Sequence, residues 1–483
     1  SHIYSNNAEV NFTNNGNMWL SNIGNDGLYH ENVGDNAAIP NVLNFTNNGH
    51  IGINTTTDEG WYNYSSRGIH TVVNNGSVDI DNVADSGILN NTNNAGEIHF
   101  TNENLIDINT GIDRLLYNLT DNGSKVYFTN NDSIMIANTN DGGVYNYARD
   151  GDIHFTNSNM AVIDIDDIDD EAGVYNLCKK EVAEYEANIY FDNFGTINID
   201  NIIDHGFLFN NNNGTIVGNN AGDININTTT QQGFYCYNVA SNIDFPLNLN
   251  FINSGNINVE NTTLNAFYNY NYRYGTLNFV NDGTMTANQC LQKGVYNYSD
   301  NDFATLHFTN NGNIDIDNTI QQGWYNYSKQ TSVDTLTALY CTNNGTIDIN
   351  NTVLEGWQNY AYRGVLHCEN GVNGSISIKN ASDHGMFNYV LEDREDYHAI
   401  FTFDNHGTMQ IDSSDYNGLH NNNSRGDSLT FNNYGMLTID HSLEDGNYNY
   451  NYTSVVDSPF YDYEGGIMLS LIHISEPTRR ITI

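Results

Sequence analysis

Apolar and polar residues alternate along this chain in runs of four to six, and the runs recur in sets of three. Residues 306–329, LHFTNNGNIDIDNTIQQGWYNYSK, carry one complete set. Leu306 and Phe308 alternate with polar neighbours and a TNNG turn follows. Ile314 and Ile316 then alternate with Asp315 and Asp317, and Gly323 introduces a WYNY run. Period two marks a strand with one buried face and one wet face. Leu43 and Phe45, Ile98 and Phe100, and Leu277 and Phe279 repeat the first run. Val78 and Ile80, Ile197 and Ile199, and Ile347 and Ile349 repeat the second. Anchored on the Phe308-type position, the set occurs fifteen times, from Phe12 to Phe431, at steps of 27 to 36 residues.

A fixed period of strand signals marks an array in which no repeat buries its core alone. It predicts an all-β chain, a right-handed parallel β-helix (β-solenoid) of about fifteen coils, each of roughly 28 residues with three short strands. At a strand spacing of roughly 4.8 Å, such a stack makes a rod of about 70 Å. Residues 1–466 then form a single repeat domain. A β-propeller is the rival, but its blades need about 40 residues. The TNNG corners read as places where Asn and Gly accept a positive φ. The best helical stretch, KKEVAEYEA at 179–187, lies in an insertion between coils.

Alternation also assigns faces. In the WYNY strand Trp61, Val144, Phe234, Trp324 and Trp357 are placed inward, and so is the Asn two positions on. That inward column holds Asn63, Asn118, Asn146, Asn176 and Asn269, then Asn297, Asn326, Asn359 and Asn388. Stacked amides donate and accept along the axis, so each satisfies its neighbours. Tyr then faces outward, in two columns along one flank. One holds Tyr62, Tyr145, Tyr268, Tyr296 and Tyr325, the other Tyr147, Tyr270, Tyr298 and Tyr327. The alternative is the opposite parity, with Tyr inside.

The net charge of −43 comes from 58 acidic against 15 basic residues, which excludes a phosphate backbone as partner. Regular Ile, Val, Phe and Tyr argue against the disorder that such charge otherwise suggests. Five scattered cysteines make neither a disulfide framework nor a zinc motif. Cys341 and Cys368 share the Phe-type position in successive coils, so they are either two buried thiols or a cross-coil disulfide. No apolar run is long enough to span a membrane. The segment LSLIHISEPTR, 469–479, breaks the repeat and looks like a translated sequencing adapter, so 467–483 is read as an irregular, non-native tail.

Candidate chemistry follows the repeat. The tyrosine columns form a contact surface, for lateral packing or for sugars. The densest acidic run, DIDDIDDE, offers Asp164, Asp166, Asp167, Asp169 and Asp170 as hard oxygen ligands for Ca²⁺, against a solvated acidic loop. Ten of the fifteen basic residues, among them Arg149, Lys179, Lys329 and Arg363, collect after the WYNY strand. No phosphate loop, nucleophile elbow or HExxH is present, and the acids repeat with the coil instead of converging, so no catalytic residue and no organic cofactor are expected.

The segments NNGTIDIN (343–350) and NGNIDIDN (311–318, in the preceding coil) resemble the N-x-G-x-I repeats of filamentous-haemagglutinin-like and autotransporter-type surface solenoids. That resemblance implies an extracellular or cell-surface adhesive or fibrous role, with self-association or a surface glycan or protein as partner. The alternative function is a carbohydrate-binding or carbohydrate-cleaving β-helix.

Overall fold

A computed structural model of the chain describes residues 1–34, 41–240, 247–332, 335–392, 398–451, 460–462 and 467–471. Every regular element among them is a strand. The strands form three parallel sheets of sixteen, each pairing a strand with its counterpart one coil earlier and one coil later. The result is a β-solenoid of about fifteen turns, about 29 residues each. We name the sheets by what they carry: the Tyr sheet (Trp324–Lys329 and its equivalents), the Phe sheet (Thr305–Asn310) and the Asp sheet (Asn313–Thr319).

Register is strict. In the Phe sheet Phe100, Phe128, Phe155 and Phe191 oppose one another, with ring centroids 5.1–5.2 Å apart. Ile314 and Ile316 of the Asp sheet oppose Ile347 and Ile349, and Trp324 of the Tyr sheet stacks on Trp357 at 4.8 Å. All of these are buried, so a single apolar column runs the length of the rod. A slip of one residue would turn every such side chain to water, which is why the register holds.

The corners differ from expectation. Gly49 and its equivalents do not sit at positive φ; among the described glycines only Gly123 does. They are required by close approach: a Cβ on Gly345 would lie 2.0 Å from the carbonyl oxygen of Gly312, and one on Gly312 as near to that of Gly283. Left-handed backbone falls instead at the end of the Asp-sheet strand, at one residue per coil from Asn22 to His441. Asn fills it in eight coils, the non-glycine residue that tolerates that region best.

The best helical stretch of the sequence, 179–187, forms no helix. Val174–Lys179 is a strand, and 180–187 is turn and irregular chain; so short a stretch is below the roughly 12–15 residues that sustain a helix without packing. No helix among the described residues is long and apolar enough to cross a membrane. Ile467–Leu471 pairs with Met436–Asp440, across the boundary drawn at residue 466. The rest of the segment read as a tail, 472–483, lies outside the described residues.

Candidate functional site: the tyrosine face and its acidic border

The inner face of the Tyr sheet carries the amide column. Asn63 donates to Asn90, Asn90 to Asn118, Asn118 to Asn146 and Asn146 to Asn176, at 2.8–2.9 Å. Phe209 and Cys236 then interrupt it, which leaves the buried Asn176 Nδ2 without a partner. The column resumes from Asn269 through Asn297, Asn326, Asn359 and Asn388 to Asn421. A second column starts at the first Asn of each TNNG turn, which sequence reasoning took for a corner residue. It runs unbroken from Asn14 to Asn433 through fourteen side-chain hydrogen bonds of 2.7–3.0 Å. Its signal was present: Asn holds that position in coils whose Phe-type neighbour varies to Val72, Gly218 or Cys341.

Period two then sends the tyrosines outward, and parallel register stacks them. Tyr235, Tyr268, Tyr296 and Tyr325 form one column, with centroids 4.7–5.0 Å apart and ring planes within 12°. Tyr270, Tyr298, Tyr327 and Tyr360 form the other, at 4.8–4.9 Å. Within a coil the two columns also meet, Tyr268 with Tyr270 and Tyr296 with Tyr298, both at 5.7 Å. Offset stacking of this kind turns each ring face toward the next ring. The rings are therefore half-buried, and burial raises the phenol pKa values of Tyr268, Tyr296 and Tyr325. Earlier coils are less uniform. Tyr145 is 5% exposed and meets Tyr117 and Tyr175 edge-on, while Tyr62 and Tyr175 accept hydrogen bonds from Asn91 and Asn210. Tyr147 lies beside Tyr145 in the second column.

One border of this face was not read from the sequence. The residue three before each Tyr-sheet strand is acidic in six successive coils: Asp58, Asp85, Asp113, Asp141, Glu171 and Asp204. In five of the six coils it reads [D/E]-x-G, with Leu115 in the Gly position after Asp113, and only the coil register makes it a column. Arg114 enters from the adjacent column and binds Glu171 through Nε at 3.2 Å and Nη2 at 3.0 Å, with Asp113 at 3.1 Å and Asp141 at 3.5 Å. Its guanidinium also lies over the rings of Tyr117 and Tyr145. Burial, then Asp113 and Glu171, pushes the Asp141 pKa up to about 8. Burial likewise raises Asp85 and Asp204 to about 6, with Asp113 and Asp170 as the next causes. Burial acts against ionisation of Asp113 too, but hydrogen bonds from Asp141 and Asp85 and the Arg114 charge carry it below the usual range. Protonated and ionised carboxyls thus coexist along the column.

Farther along the rod the border is neutral, with Gln231, Leu264, Gln292 and Gln321. There Lys293 lies over Tyr296 and Tyr325 and donates to Gln321 Oε1 at 2.9 Å; desolvation lowers its pKa to about 8.

The run proposed for Ca²⁺ is spread along a strand and its corner. Asp164 accepts from Asn198 Nδ2 and Asp166 from Asn201 Nδ2. Asp167, at φ 54°, turns the chain, and Asp169 and Asp170 are exposed. Among the described residues, acidic groups of three whose ligand atoms lie within 4.8 Å occur at Asp26, Asp58 and Glu59, and at Asp412, Asp440 and His441. Neither draws on the 164–170 run. All five cysteines are free and buried. Cys368 opposes Cys341 in register, and its thiol donates to Asn359 Oδ1 at 3.4 Å. Several basic residues of the corner pair with acids of an adjacent coil or the same corner, Arg149 with Asp121, Lys329 with Asp300 and Lys179 with Glu181. Arg394, read with that group, lies outside the described residues.

These features define a class: a three-sided parallel β-solenoid repeat protein whose side chains form columns along the axis. Comparison with known protein families, with curated proteins and with solved structures finds no match to the chain.

Proposed function

We propose that the chain is a structural or adhesive segment of a secreted surface protein or extracellular filament, of the kind its NNGTIDIN and NGNIDIDN segments resemble, and that the tyrosine face makes its lateral contacts. The observation that carries this reading is the stacking of the tyrosines. With ring faces turned to one another at 4.7–5.0 Å, what points outward is a row of ring edges and hydroxyls at the spacing of the coils. A sugar packs on an open ring face, and these faces are largely taken. A partner that matches a row of this period is itself periodic, such as the flank of a second rod. Electron microscopy of concentrated, purified protein tests it. Side-by-side bundles are expected, and the triple variant Tyr270→Ser/Tyr298→Ser/Tyr327→Ser should scatter them into single rods. Single rods at every concentration, retained on or clearing a polysaccharide gel, would favour the carbohydrate-directed alternative instead.

A further inference from the structure

The acidic border is compensated in one place and not in another. At Asp113, Asp141 and Glu171 the charge is met by Arg114, which stands two residues before the Tyr-sheet strand Leu116–Thr120. Two coils earlier the same column holds Glu59, and three coils earlier Asp26. Asp26, Asp58 and Glu59 place one carboxylate oxygen each within 4.8 Å of the others. Asp26 is 8% exposed and Glu59 9%, yet the buried Asp26 Oδ1 has no hydrogen-bond partner. Among the described residues no Lys or Arg pairs with the three. The nearby Ser1 amine donates to the carbonyl of Gly27 at 2.6 Å and acts on Asp26 through its charge alone, with no hydrogen bond to a carboxylate.

We propose that Asp26, Asp58 and Glu59 bind one divalent cation, Ca²⁺ by preference, in the position that the Arg114 guanidinium fills farther along. Three oxygens within 4.8 Å of one another lie no more than about 2.8 Å from a common centre, so small side-chain adjustments bring them to the 2.3–2.6 Å that Ca²⁺ takes from oxygen ligands. The three side chains supply three to six oxygens, and water completes the six to eight that Ca²⁺ accepts at variable angles; Mg²⁺ demands a stricter octahedron. Buried carboxylates this close otherwise hold a proton between them, as two acids sharing a site do. Burial, then the Asp26 carboxyl, pushes the pKa of Glu59 up to about 9, which is the metal-free state of the same site. Cation binding therefore expels that proton. The ion would lie beside Tyr29 and Tyr62 and tie the first coils together along the edge of the tyrosine face.

The full chain, stripped with chelator and titrated with Ca²⁺ by calorimetry and with Tb³⁺ by tyrosine-sensitised emission, tests this. One saturable site is expected, with proton release that grows as pH is lowered from 9 to 7. Glu59→Gln and Asp58→Asn should each weaken it by about tenfold or more, and Asp141→Asn, beside Arg114, should leave it unchanged. Circular dichroism separates loss of a ligand from loss of fold, and Asp58, half-buried at the corner, is the variant least prone to unfold the coil. No saturable heat or emission with a folded wild-type rod at millimolar Ca²⁺ would show that a shared proton alone occupies the site. Loss of the site in Asp166→Asn/Asp167→Asn with retention in Glu59→Gln would overturn the assignment in favour of the 164–170 run.

Discussion

At the scale of a residue, the corners show what a stack asks of its backbone. Each coil bends through one left-handed residue after the Asp-sheet strand. Asn serves there in most coils, but Thr55, Thr110 and Thr228 adopt φ of 61°, 62° and 58°. A β-branched side chain is poorly suited to that region, where the penalty for ordinary L-residues is roughly 1–2 kcal/mol. Thr55→Asn, Thr110→Asn and Thr228→Asn should each raise stability by about 1 kcal/mol, and the gains should add because the sites are at least two coils apart; urea unfolding checks it. Gly345 is the opposite case. With Gly312 O at 2.0 Å from an added Cβ, backbone must move, and Gly345→Ala should cost about 3 kcal/mol or more in the same assay. The sequence pointed to the TNNG corner for the positive φ, and the structure puts it at the end of the Asp-sheet strand. Composition reveals that Asn and Gly are needed at a corner; which needs conformational freedom and which needs space depends on how closely successive coils approach.

At the scale of an element, what is stacked is less the strand than the column. Parity alone placed Trp61 and Asn63 on the same side, and both are fully buried. The turn column from Asn14 to Asn433 escaped because a turn signal and an amide ladder use the same residue. An interior rung serves two neighbours. Asn118→Ala would leave Asn90 Nδ2 without an acceptor and Asn146 Oδ1 without a donor, both in the core. Buried orphans cost about 1–3 kcal/mol each, so this variant should lose about 2–4 kcal/mol. Tyr296→Ser, on the outer face of the sheet, should lose less, and parallel denaturant titrations compare the two. The acidic border was illegible for a different reason. Its members lie in loops, where no periodicity announces a face, and only pairing on either side aligns them.

At the scale of the molecule, the fold converts sequence composition into an unusual response to pH. Asp204, Asp141 and Glu59 hold protons up to about 6, 8 and 9, against about 4 in an unfolded chain. Between those limits the folded state binds more protons than the unfolded state, so stability falls as pH rises. The buried His30, His205 and His420, lowered by desolvation to about 3, 4 and 4, oppose this below about 6.5, where unfolded histidines take up protons. The melting temperature in chelator should therefore decline from pH 6.5 to about 8, level off above it as the lowered Lys293 opposes Glu59, and turn over on the acid side; a flat profile between 6.5 and 8 would contradict the protonated border. The amide columns carry a last consequence. In the two buried columns each bond runs from a lower to a higher residue number, so their side-chain dipoles add, as peptide dipoles add along a helix, while outward-facing asparagines such as Asn48, Asn258 and Asn344 donate the other way. The rod thus has a sense, like an arrow. One end of each column presents carbonyl oxygens and the other amide hydrogens, and any further coil, from this chain or another, prolongs the ladder only if it points the same way.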